Sequence, residues 1–339
     1  MNGLISVIIP VYNGEKTIRK CLEAIFQSDH NNYEVIVVDD HSQDASRQFI
    51  ERFPCKLVTL SKQSGAAQAR NAGANVSNGS ILFFTDADCL LEPDTLKKLA
   101  NSFNSADPYT IVGGTYTVHP YDRNFYGKFQ SIFVNYFESK HADNPDYIAT
   151  HAMAIGSEVF FANRGFNNDK YPILEDVEYS HRLRSNGIKL KIDKTILVKH
   201  IFGFSIIGSI LNAIKKSQYW AMYLLDTNSL LEDSGTASYE LKINVLLCFV
   251  NLVYFALFFY TSNIAFLGPI LLNLAIVIYF NMGFIKATIN HFGWLFCCQA
   301  MTYYLLFYPL AVGLGSGIGV GRHVIGKLQY NRTQTCSHP

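Results

Sequence analysis

Ser80-Ile81-Leu82-Phe83-Phe84-Thr85-Asp86-Ala87-Asp88 is the stretch that decides the predicted fold. Residues 80–85 are typical of a buried strand, and two carboxylates follow directly. Open α/β sheets bind ligands in the crevice at the carboxyl ends of their strands. Carboxylates there are suitable ligands for Mg²⁺ or Mn²⁺, and such a metal commonly keeps positions open for substrate phosphates. The same Asp-x-Asp pattern also occurs as a helix N-cap or a solvated turn. Motifs elsewhere in the chain are therefore needed to distinguish a metal site from a structural role.

The segments around this stretch alternate between strands and helices. Strands are predicted over residues 4–11, 35–38 and 57–60, and helices over residues 15–27, 42–53 and 65–76. We expect Ser42 or Asp44 to cap the helix at 42–53, and Pro93 to begin the next helix. The alternation predicts an α/β domain with a mostly parallel, Rossmann-like sheet and right-handed crossovers. The Gly-x-Gly-x-x-Gly pattern is absent after the first strand, which argues against a dinucleotide site.

Residues 109–200 have a mixed pattern. It predicts a strand over 109–118, an aromatic-rich helix over 123–140, strand or turn pieces at 152–155 and 159–162, and a helix over 174–186. The last helix begins with Glu175-Asp176, where the helix dipole favours negative charge. This is a second pair of carboxylates with either a chemical or a helix-capping role.

Composition separates a globular part from an apolar part. The chain has 339 residues with 28 Lys and Arg against 27 Asp and Glu, so no global field indicates nucleic acid as a partner. Seven cysteines without zinc-like spacing fit a reducing cytosol. Hydrophobic residues make up 49% of the chain and are concentrated in residues 241–320. We therefore predict a globular domain over residues 1–205, followed by a membrane region.

Two kinds of membrane segment are predicted. Residues 206–240 are expected to form an amphipathic interface helix and a linker, because an apolar run leads into Lys215-Lys216 and Trp220. A helix packed inside the protein is the alternative. Three later segments are apolar, and the length of each approaches the ~20 residues that a helix needs to cross a bilayer. These candidate transmembrane helices are 243–260, 264–281 and 293–314 within residues 241–320, and a polar tail follows at 321–339.

The N-terminus and the loop charges predict an orientation. No signal peptide is visible, so we expect residues 1–240 in the cytoplasm and the chain as a multi-pass protein of the inner or plasma membrane, in contact with lipids. Lys286, in the loop expected between the second and third spans, then lies inside, in agreement with the positive-inside rule. Three spans would place the basic tail outside, against that rule. Either the third segment is a hairpin or re-entrant, or a short fourth element brings the tail back, and the glycine-rich residues 313–321 would allow such a turn.

Five motifs in order along the chain resemble those of family 2 glycosyltransferases with the GT-A fold. They are Ile8-Ile9-Pro10-Val11-Tyr12-Asn13, Val37-Val38-Asp39-Asp40, Ala69-Arg70-Asn71-Ala72-Gly73, Thr85-Asp86-Ala87-Asp88 and Glu175-Asp176-Val177-Glu178. The resemblance covers roughly residues 4–205. It implies an inverting, metal-dependent enzyme that takes a sugar from a nucleotide sugar. The apolar C-terminal region resembles members that work on lipid-linked or cell-envelope glycans.

The resemblance implies roles for residues on the donor side. A UDP- or GDP-linked sugar would be bound by Pro10, Tyr12, Glu15, Asp40, Arg70 and Asp86. Asp40 would accept a hydrogen bond from the uracil or guanine ring, and Asp39 would support the loop or cap the following helix. Asp86 and Asp88 would hold Mg²⁺ or Mn²⁺, and His200 is a further metal ligand or a structural histidine.

On the acceptor side, the resemblance makes Asp176 the general base. It would remove the proton of the acceptor hydroxyl, which attacks the anomeric carbon while the nucleoside diphosphate leaves. Glu175, His151 and Trp220 are expected to contact the acceptor, a lipid-linked or other cell-envelope glycan.

Two other functions are compatible with the same motifs. Processive polysaccharide synthases of this family carry a Gln-x-x-Arg-Trp element, whereas this chain has Lys216-Ser217-Gln218-Tyr219-Trp220, which favours transfer of a single sugar. An inactive scaffold that binds nucleotide sugars is the second alternative. The presence of Asp86, Asp88 and Asp176 together argues against it.

Overall fold

The structure is a computed structural model that describes residues 3–107, 109–167 and 171–335. The chain divides into two compact units, Met1–Gly203 and Phe204–Pro339, two residues before the predicted limit at 205. The predicted tail, residues 321–339, is helical as far as Thr335, and its last four residues lie outside the described part.

The first unit contains a mixed sheet, whose strands form where apolar and β-branched residues are predicted to be buried. The strands are β1 (Ile5–Val11), β2 (Tyr33–Asp39), β3 (Lys56–Thr59), β4 (Ile81–Phe84), β5 (Cys89–Leu91), β6 (Thr110–Tyr116), β7 (Met153–Gly156) and β8 (Lys189–His200). Their order across the sheet is β3-β2-β1-β4-β7-β6-β8-β5. β2 lies on one side of β1 and β4 on the other, so the direction in which the chain adds strands reverses at β1. The carboxyl ends of β1 and β4 therefore form a topological switch point, where such sheets bind ligands.

The mostly parallel arrangement is confirmed, with antiparallel additions. Among the described residues, β1 pairs parallel with β2 and β4, β2 with β3, and β6 with β8. β7 lies antiparallel between β4 and β6, and the three-residue strand β5, which the sequence did not predict, lies antiparallel to β8. These two additions bring the residues after β4 next to β8 and to the turn before β7.

The helices of the first unit follow the predicted pattern with local corrections. They are α1 (Ile18–Ile25), α2 (Ser46–Ile50), α3 (Ala66–Asn75), α4 (Thr95–Ser105), α5 (Phe125–Ser139), α6 (Ser157–Ala162) and α7 (Glu175–Ser185), with a 3-10 turn at Thr150–Ala152. α2 is shorter than predicted and begins after Ala45. Ser42 does not cap it, whereas Asp44 Oδ1 accepts from Ser46 N at 3.0 Å and so caps its first turn. Pro93 precedes α4 by two residues instead of beginning it. The predicted strand or turn piece at 159–162 is part of α6.

An aromatic cluster fixes α6 and α7 against the sheet. The ring of Phe84, on β4, packs against Phe160 and Phe166, with centroids 5.3 and 5.0 Å apart. Phe166 in turn packs against Tyr179 of α7 at 4.8 Å. Because Phe84 immediately precedes Thr85-Asp86, this cluster couples the position of α7 to the end of β4.

The second unit is helical. Its elements are α8 (Ile206–Thr227), α9 (Tyr239–Thr261), a 3-10 turn (Ile264–Phe266) leading into α10 (Leu267–Phe280), α11 (Met282–Thr302), a π-helical turn (Tyr303–Phe307) and α12 (Tyr308–Thr335). Two helices of the described chain are long and apolar enough to cross a membrane, Tyr239–Thr261 and the continuous Met282–Leu328. The segment predicted as an interface helix contains the 22-residue helix α8, and its position at an interface stays a prediction.

The predicted three spans need correction. The segment at 264–281 is a helix of only 17 residues, Ile264–Phe280. The third segment begins at Met282 instead of 293, and breaks at Gly293, whose φ of +79° suits glycine. Lys286 therefore lies in a helix and not in a loop.

The glycines at 313–321 do not form a turn. They lie within α12, where they allow close packing on α8: a Cβ on Gly315 would lie 2.3 Å from the carbonyl oxygen of Ile214, and one on Gly319 would lie 2.3 Å from that of Gln218. Small residues at such spacing let two helix backbones approach each other. The predicted chain reversal at these glycines is therefore wrong.

Candidate active site

Arg70 joins two of the predicted carboxylates at the carboxyl end of β4. Its Nη2 donates to Asp86 Oδ1 at 2.6 Å, and its Nη1 donates to Glu175 Oε1 at 2.6 Å. α3 can bring Arg70 here because its sheet-facing residues are small: a Cβ on Gly73 would lie 2.5 Å from Ile8 Cγ2. One guanidinium thus ties the end of β4 to the first turn of α7.

The ion pairs keep Asp86 charged. Burial is the largest single influence and disfavours its ionised form, but Arg70, His151 and His200 together outweigh burial and lower the pKa of Asp86 below the usual value. Burial also opposes the charge on Arg70, and Asp86 and Glu175 together raise the pKa of the guanidinium. The Asp86 side chain remains 31% exposed. Its carboxylate is therefore fixed on one side and accessible on the other.

Asp88 and His200 form a candidate metal site. The β5–β8 register places Cys89 opposite His200, and His200 Nε2 lies 3.4 Å from Asp88 Oδ1. The His200 ring stacks on Phe202, with centroids 4.1 Å apart. The Asp88 side chain is 40% exposed, which leaves room for further ligands. The short strand β5 is what brings these two residues together.

The chemistry of this donor set fits a divalent metal. Cys89 belongs to the same cluster, in which one ligand atom of each residue lies within 4.8 Å of the others. Burial and then the charge of Asp88 raise the pKa of the Cys89 thiol well above its usual value, which keeps it protonated and a poor ligand. A carboxylate and an imidazole remain. This pair suits Mn²⁺, and Mg²⁺ to a lesser degree because Mg²⁺ prefers oxygen ligands.

Asp176 has the environment of a general base. It lies in the first turn of α7, where Thr150 N donates to Oδ2 at 3.2 Å and the amide of Val177 donates to Oδ1 at 2.8 Å. Burial, followed by the negative charge of Glu175, raises the pKa of Asp176 to about 7, although Arg70 acts in the opposite direction. A carboxyl group poised near neutral pH can accept a proton from a substrate.

Three of the predicted donor residues, Tyr12, Glu15 and Asp40, lie on loops at the carboxyl ends of β1 and β2. Both oxygens of the buried Asp40 carboxylate accept backbone hydrogen bonds, from Ser64 N at 2.7 Å and Gly65 N at 2.8 Å. Each oxygen has a second lone pair, so Asp40 can also accept from a bound base. Tyr12, after β1, is 45% exposed and offers a ring face to a ligand, whereas Pro10 lies within β1.

Glu15 and Asp39 have structural partners in these loops. Glu15 Oε2 accepts from Ala45 N at 3.2 Å, and its own amide donates to Asp44 Oδ2 at 3.0 Å. Asp39 Oδ1 accepts from Ser42 N at 3.0 Å, a contact that supports the loop after β2. The two Glu15 hydrogen bonds join the loop after β1 to the loop after β2.

The residues predicted to contact the acceptor are buried. Glu175 is 5% exposed and bound to Arg70, and His151 is 5% exposed beside Glu138. Trp220 is buried inside the second unit, where it packs against Tyr223. Contact between these three residues and an acceptor stays a prediction; in the structure Glu175 holds Arg70.

The site contains residues that sequence reasoning missed. Thr85 Oγ1 donates to the carbonyl of His151 at 2.9 Å, and the side-chain amide of Asn71 pairs with both backbone polar groups of Phe166. Glu138, on the aromatic helix α5, reaches the His151 side chain. An acidic residue in an aromatic-rich helix was the signal in the sequence for Glu138.

Comparisons with known proteins agree with this geometry. Residues 6–164 match the family model described as glycosyl transferase family 2. Glycosyltransferase GlyG of Streptococcus pneumoniae serotype 4 is 31% identical over 131 residues, covering 37% of this chain and 44% of GlyG. The minor teichoic acid biosynthesis protein GgaB of Bacillus subtilis is 26% identical over 216 residues, covering 54% of this chain and 23% of GgaB. The chain therefore spans less than half the length of these relatives.

A solved structure shares the fold. The mannosyltransferase PcManGT from Pyrobaculum calidifontis, in complex with GDP-Man and Mn²⁺, has a TM-score of 0.57 at 18% identity, and the match covers 96% of this chain and 88% of PcManGT. The predicted fold class, a GT-A α/β sheet followed by C-terminal helices, is confirmed.

Proposed function

Because residues 6–164 place this chain in glycosyl transferase family 2, we propose that it is a membrane-anchored, inverting glycosyltransferase. The donor is a nucleoside diphosphate sugar, and the acceptor is a lipid-linked or cell-envelope glycan. The name of GgaB, a teichoic acid biosynthesis protein, supports an envelope acceptor, and the GDP-Man and Mn²⁺ bound to PcManGT support the donor class and a metal.

The observation that carries this proposal is the convergence of Asp86 and Asp176 on Arg70, with Asp88 two residues after Asp86. Asp86 is held ionised at the end of β4. Asp88 lies beside His200. Asp176 has a raised pKa on the neighbouring helix. Donor binding and proton removal need these two kinds of carboxylate, one that stays charged and one that exchanges its proton near neutral pH.

In the proposed reaction, Asp176 removes the proton of the acceptor hydroxyl. The hydroxyl oxygen forms a bond to the anomeric carbon as the bond from that carbon to the diphosphate breaks, and the nucleoside diphosphate leaves with the electron pair. A bound Mn²⁺ or Mg²⁺ supplies stabilisation of negative charge on the departing diphosphate. Asp88 and His200 would hold that metal, and Asp40 and Tyr12 would orient the nucleotide.

The second unit supports attachment to a membrane. Asn281 Nδ2 donates to Asn244 Oδ1 and Asn273 Nδ2 donates to Asn251 Oδ1, both at 2.8 Å, so α9 and α10 form an antiparallel hairpin. The exposed side chains along this hairpin include Leu252, Phe259 and Leu271. Ile264–Phe280, with 17 residues, is at the lower limit of length for a spanning helix. We propose that the hairpin crosses the bilayer and returns, with the first unit in the cytoplasm.

Turnover tests the proposal. Purified protein in detergent or nanodiscs would be given UDP- and GDP-linked sugars with Mn²⁺ and membrane lipid extract, and both free nucleoside diphosphate and labelled product would be measured. We expect one donor to be consumed, with one sugar added per acceptor, and loss of transfer in D88N and D176N. Long product chains would instead indicate a processive synthase, and donor binding without any transfer would indicate a scaffold.

A further inference from the structure

A buried carboxylate and a buried imidazole meet behind the candidate active site. Glu138 on α5 is 8% exposed, and its Oε2 lies 3.4 Å from His151 Nε2. Thr115 Oγ1 donates to the same Glu138 oxygen at 3.0 Å, and the Tyr116 ring packs on His151, with centroids 4.1 Å apart. The proposed reaction uses neither Glu138 nor the His151 side chain.

The turn that carries His151 contacts both halves of the site. The His151 carbonyl accepts from Thr85 Oγ1 at 2.9 Å, next to Asp86. The amide of Thr150 donates to Asp176 Oδ2 at 3.2 Å. The position of one short turn, Thr150–Ala152, therefore affects the end of β4 and the proposed base together. The contact from Glu138 to His151 ties this turn to α5.

We propose that Glu138 is a positioning residue for glycosyl transfer: through His151 it holds the turn Thr150–Ala152, and thereby sets the separation of Asp86 and Asp176. The inference rests on the proposed function, because the separation matters only if Asp176 is the base for a donor bound at Asp86. Misplacement of a reacting group by about 1 Å can cost on the order of 100-fold in rate.

Charge supports the same assignment. Glu138 from α5 and Tyr116 from β6 contact the His151 ring, and the charges of Asp86 after β4 and Asp176 from α7 also act on it. Burial lowers the pKa of His151, but Glu138, Asp86 and Asp176 together outweigh burial and the net shift is upward. His151 thus adds a second positive charge to that of Arg70 beside Asp86 and Asp176. A nearby cation favours the ionised form of a carboxylate.

The test compares four variants in detergent: E138Q, H151Q, the double variant, and T115V as a matched control. E138Q removes the charge but keeps an oxygen that can accept from Thr115, whereas T115V removes that hydrogen bond and keeps the charge. We expect E138Q to lower kcat about tenfold with donor KM changed by less than about twofold. The acid limb of its kcat profile should move up by about half a pH unit, since Asp176 loses a neighbouring cation. T115V should not change the pH of the acid limb of the kcat profile.

Non-additivity distinguishes this role from general support of the fold. If Glu138 acts through His151, the double variant should be no slower than H151Q within about twofold. Losses that multiply, or an E138Q enzyme with the wild-type kcat and acid limb, would overturn the inference while leaving the proposed function intact.

A measurement without turnover separates the two proposals. A histidine whose folded pKa is raised stabilises the fold below its unfolded pKa, and this contribution is lost as pH rises through the folded pKa. The apparent Tm of the wild type should therefore exceed that of E138Q by more at about pH 6 than at about pH 9. A Tm difference that is independent of pH would contradict an ion pair between Glu138 and His151, whether or not the protein consumes any donor. A pH-dependent difference in a protein that consumes no donor would overturn the proposed function and, with it, the positioning role.

Discussion

Arg70 Nη1 lies 2.6 Å from Glu175 Oε1, and both side chains are almost fully buried. The second oxygen of Glu175 is buried and lacks a hydrogen-bond partner among the described residues. The charge of the buried Glu175 is therefore compensated through Arg70, which also holds Asp86. The same guanidinium thus contributes both to the stability of the first unit and to the geometry of the site.

Removing only the cation should unfold the protein at a lower temperature. R70Q leaves Glu175 buried without its counter-charge, and breaking a buried ion pair from one side typically costs about 3–5 kcal/mol. R70Q/E175Q should recover part of this loss, because no uncompensated charge remains. Thermal unfolding of the two single variants and the double variant measures the coupling. If the losses of stability in R70Q and E175Q simply added in the double variant, this would contradict a direct interaction between Arg70 and Glu175.

The rate of transfer should depend on pH through Asp176. Its pKa of about 7 means that kcat rises as pH increases through 7, where the carboxyl group loses its proton and can act as a base. D176N should lower kcat by roughly 100- to 10,000-fold with little change in donor binding. The kcat profile and a nucleotide binding isotherm check these two expectations.

The charge of Glu175 should move that profile. Because Glu175 helps to raise the pKa of Asp176, E175Q should shift the acid limb to lower pH, while the new amide oxygen can still accept from Arg70. The matched control is E178Q on the same helix, where Glu178 pairs with Arg182 at 2.9 Å. We expect E178Q to leave the limb unmoved. An equal shift in both variants would point to a general effect on α7.

Metal selectivity follows from the donor set of Asp88 and His200. Because one ligand is an imidazole, Mn²⁺ should support transfer at a lower concentration than Mg²⁺. H200N should raise the Mn²⁺ concentration for half-maximal rate by about tenfold, equivalent to about 1.4 kcal/mol. Chelation should abolish transfer, and added Mn²⁺ should restore it. D94N, which removes the charge of an exposed ion pair with Lys98 at the start of α4, is the control. An unchanged Mn²⁺ requirement in H200N would make His200 a structural histidine.

The sequence predicted the strands that carry the chemistry better than the contacts between them. β1, β2 and β4 are continuous apolar runs of buried residues, so their positions follow from local pattern. β5 has only three residues and forms because β8 is available as a partner. The burial of His151 and Glu175 depends on α5 and α3, which are remote in sequence. Local pattern cannot supply such distances.

The glycine-rich segment shows why local signals can mislead. Gly313 to Gly321 would disfavour an isolated helix, and this led to the predicted turn. In the structure the glycines lie where α12 approaches the backbone of α8, so close packing compensates for their low helix propensity. The His323–Asp226 contact, at 3.2 Å, continues the same interface toward the ends of the two helices.

This interface leads to a prediction of topology. α12 runs alongside α8 in the same direction, since Ile214 and Gln218 meet Gly315 and Gly319 in order. α8 carries the exposed Lys215-Lys216 in its middle, which is unfavourable in a bilayer core. The part of α12 that accompanies it should therefore also lie at the cytoplasmic surface, so that the α9–α10 hairpin is the part that crosses.

Cysteine labelling in cells tests this arrangement. In a background without native cysteines, S262C in the turn between α9 and α10 should react with a membrane-impermeant maleimide in intact cells. K327C on α12 should react only after permeabilisation, as should K62C in an exposed loop of the first unit, which serves as the cytoplasmic control. Both Arg322 and Lys327 would then lie inside, which satisfies the positive-inside rule that three spans would break. Labelling of K327C in intact cells would instead place a third crossing between Met282 and Leu328 and put the tail outside.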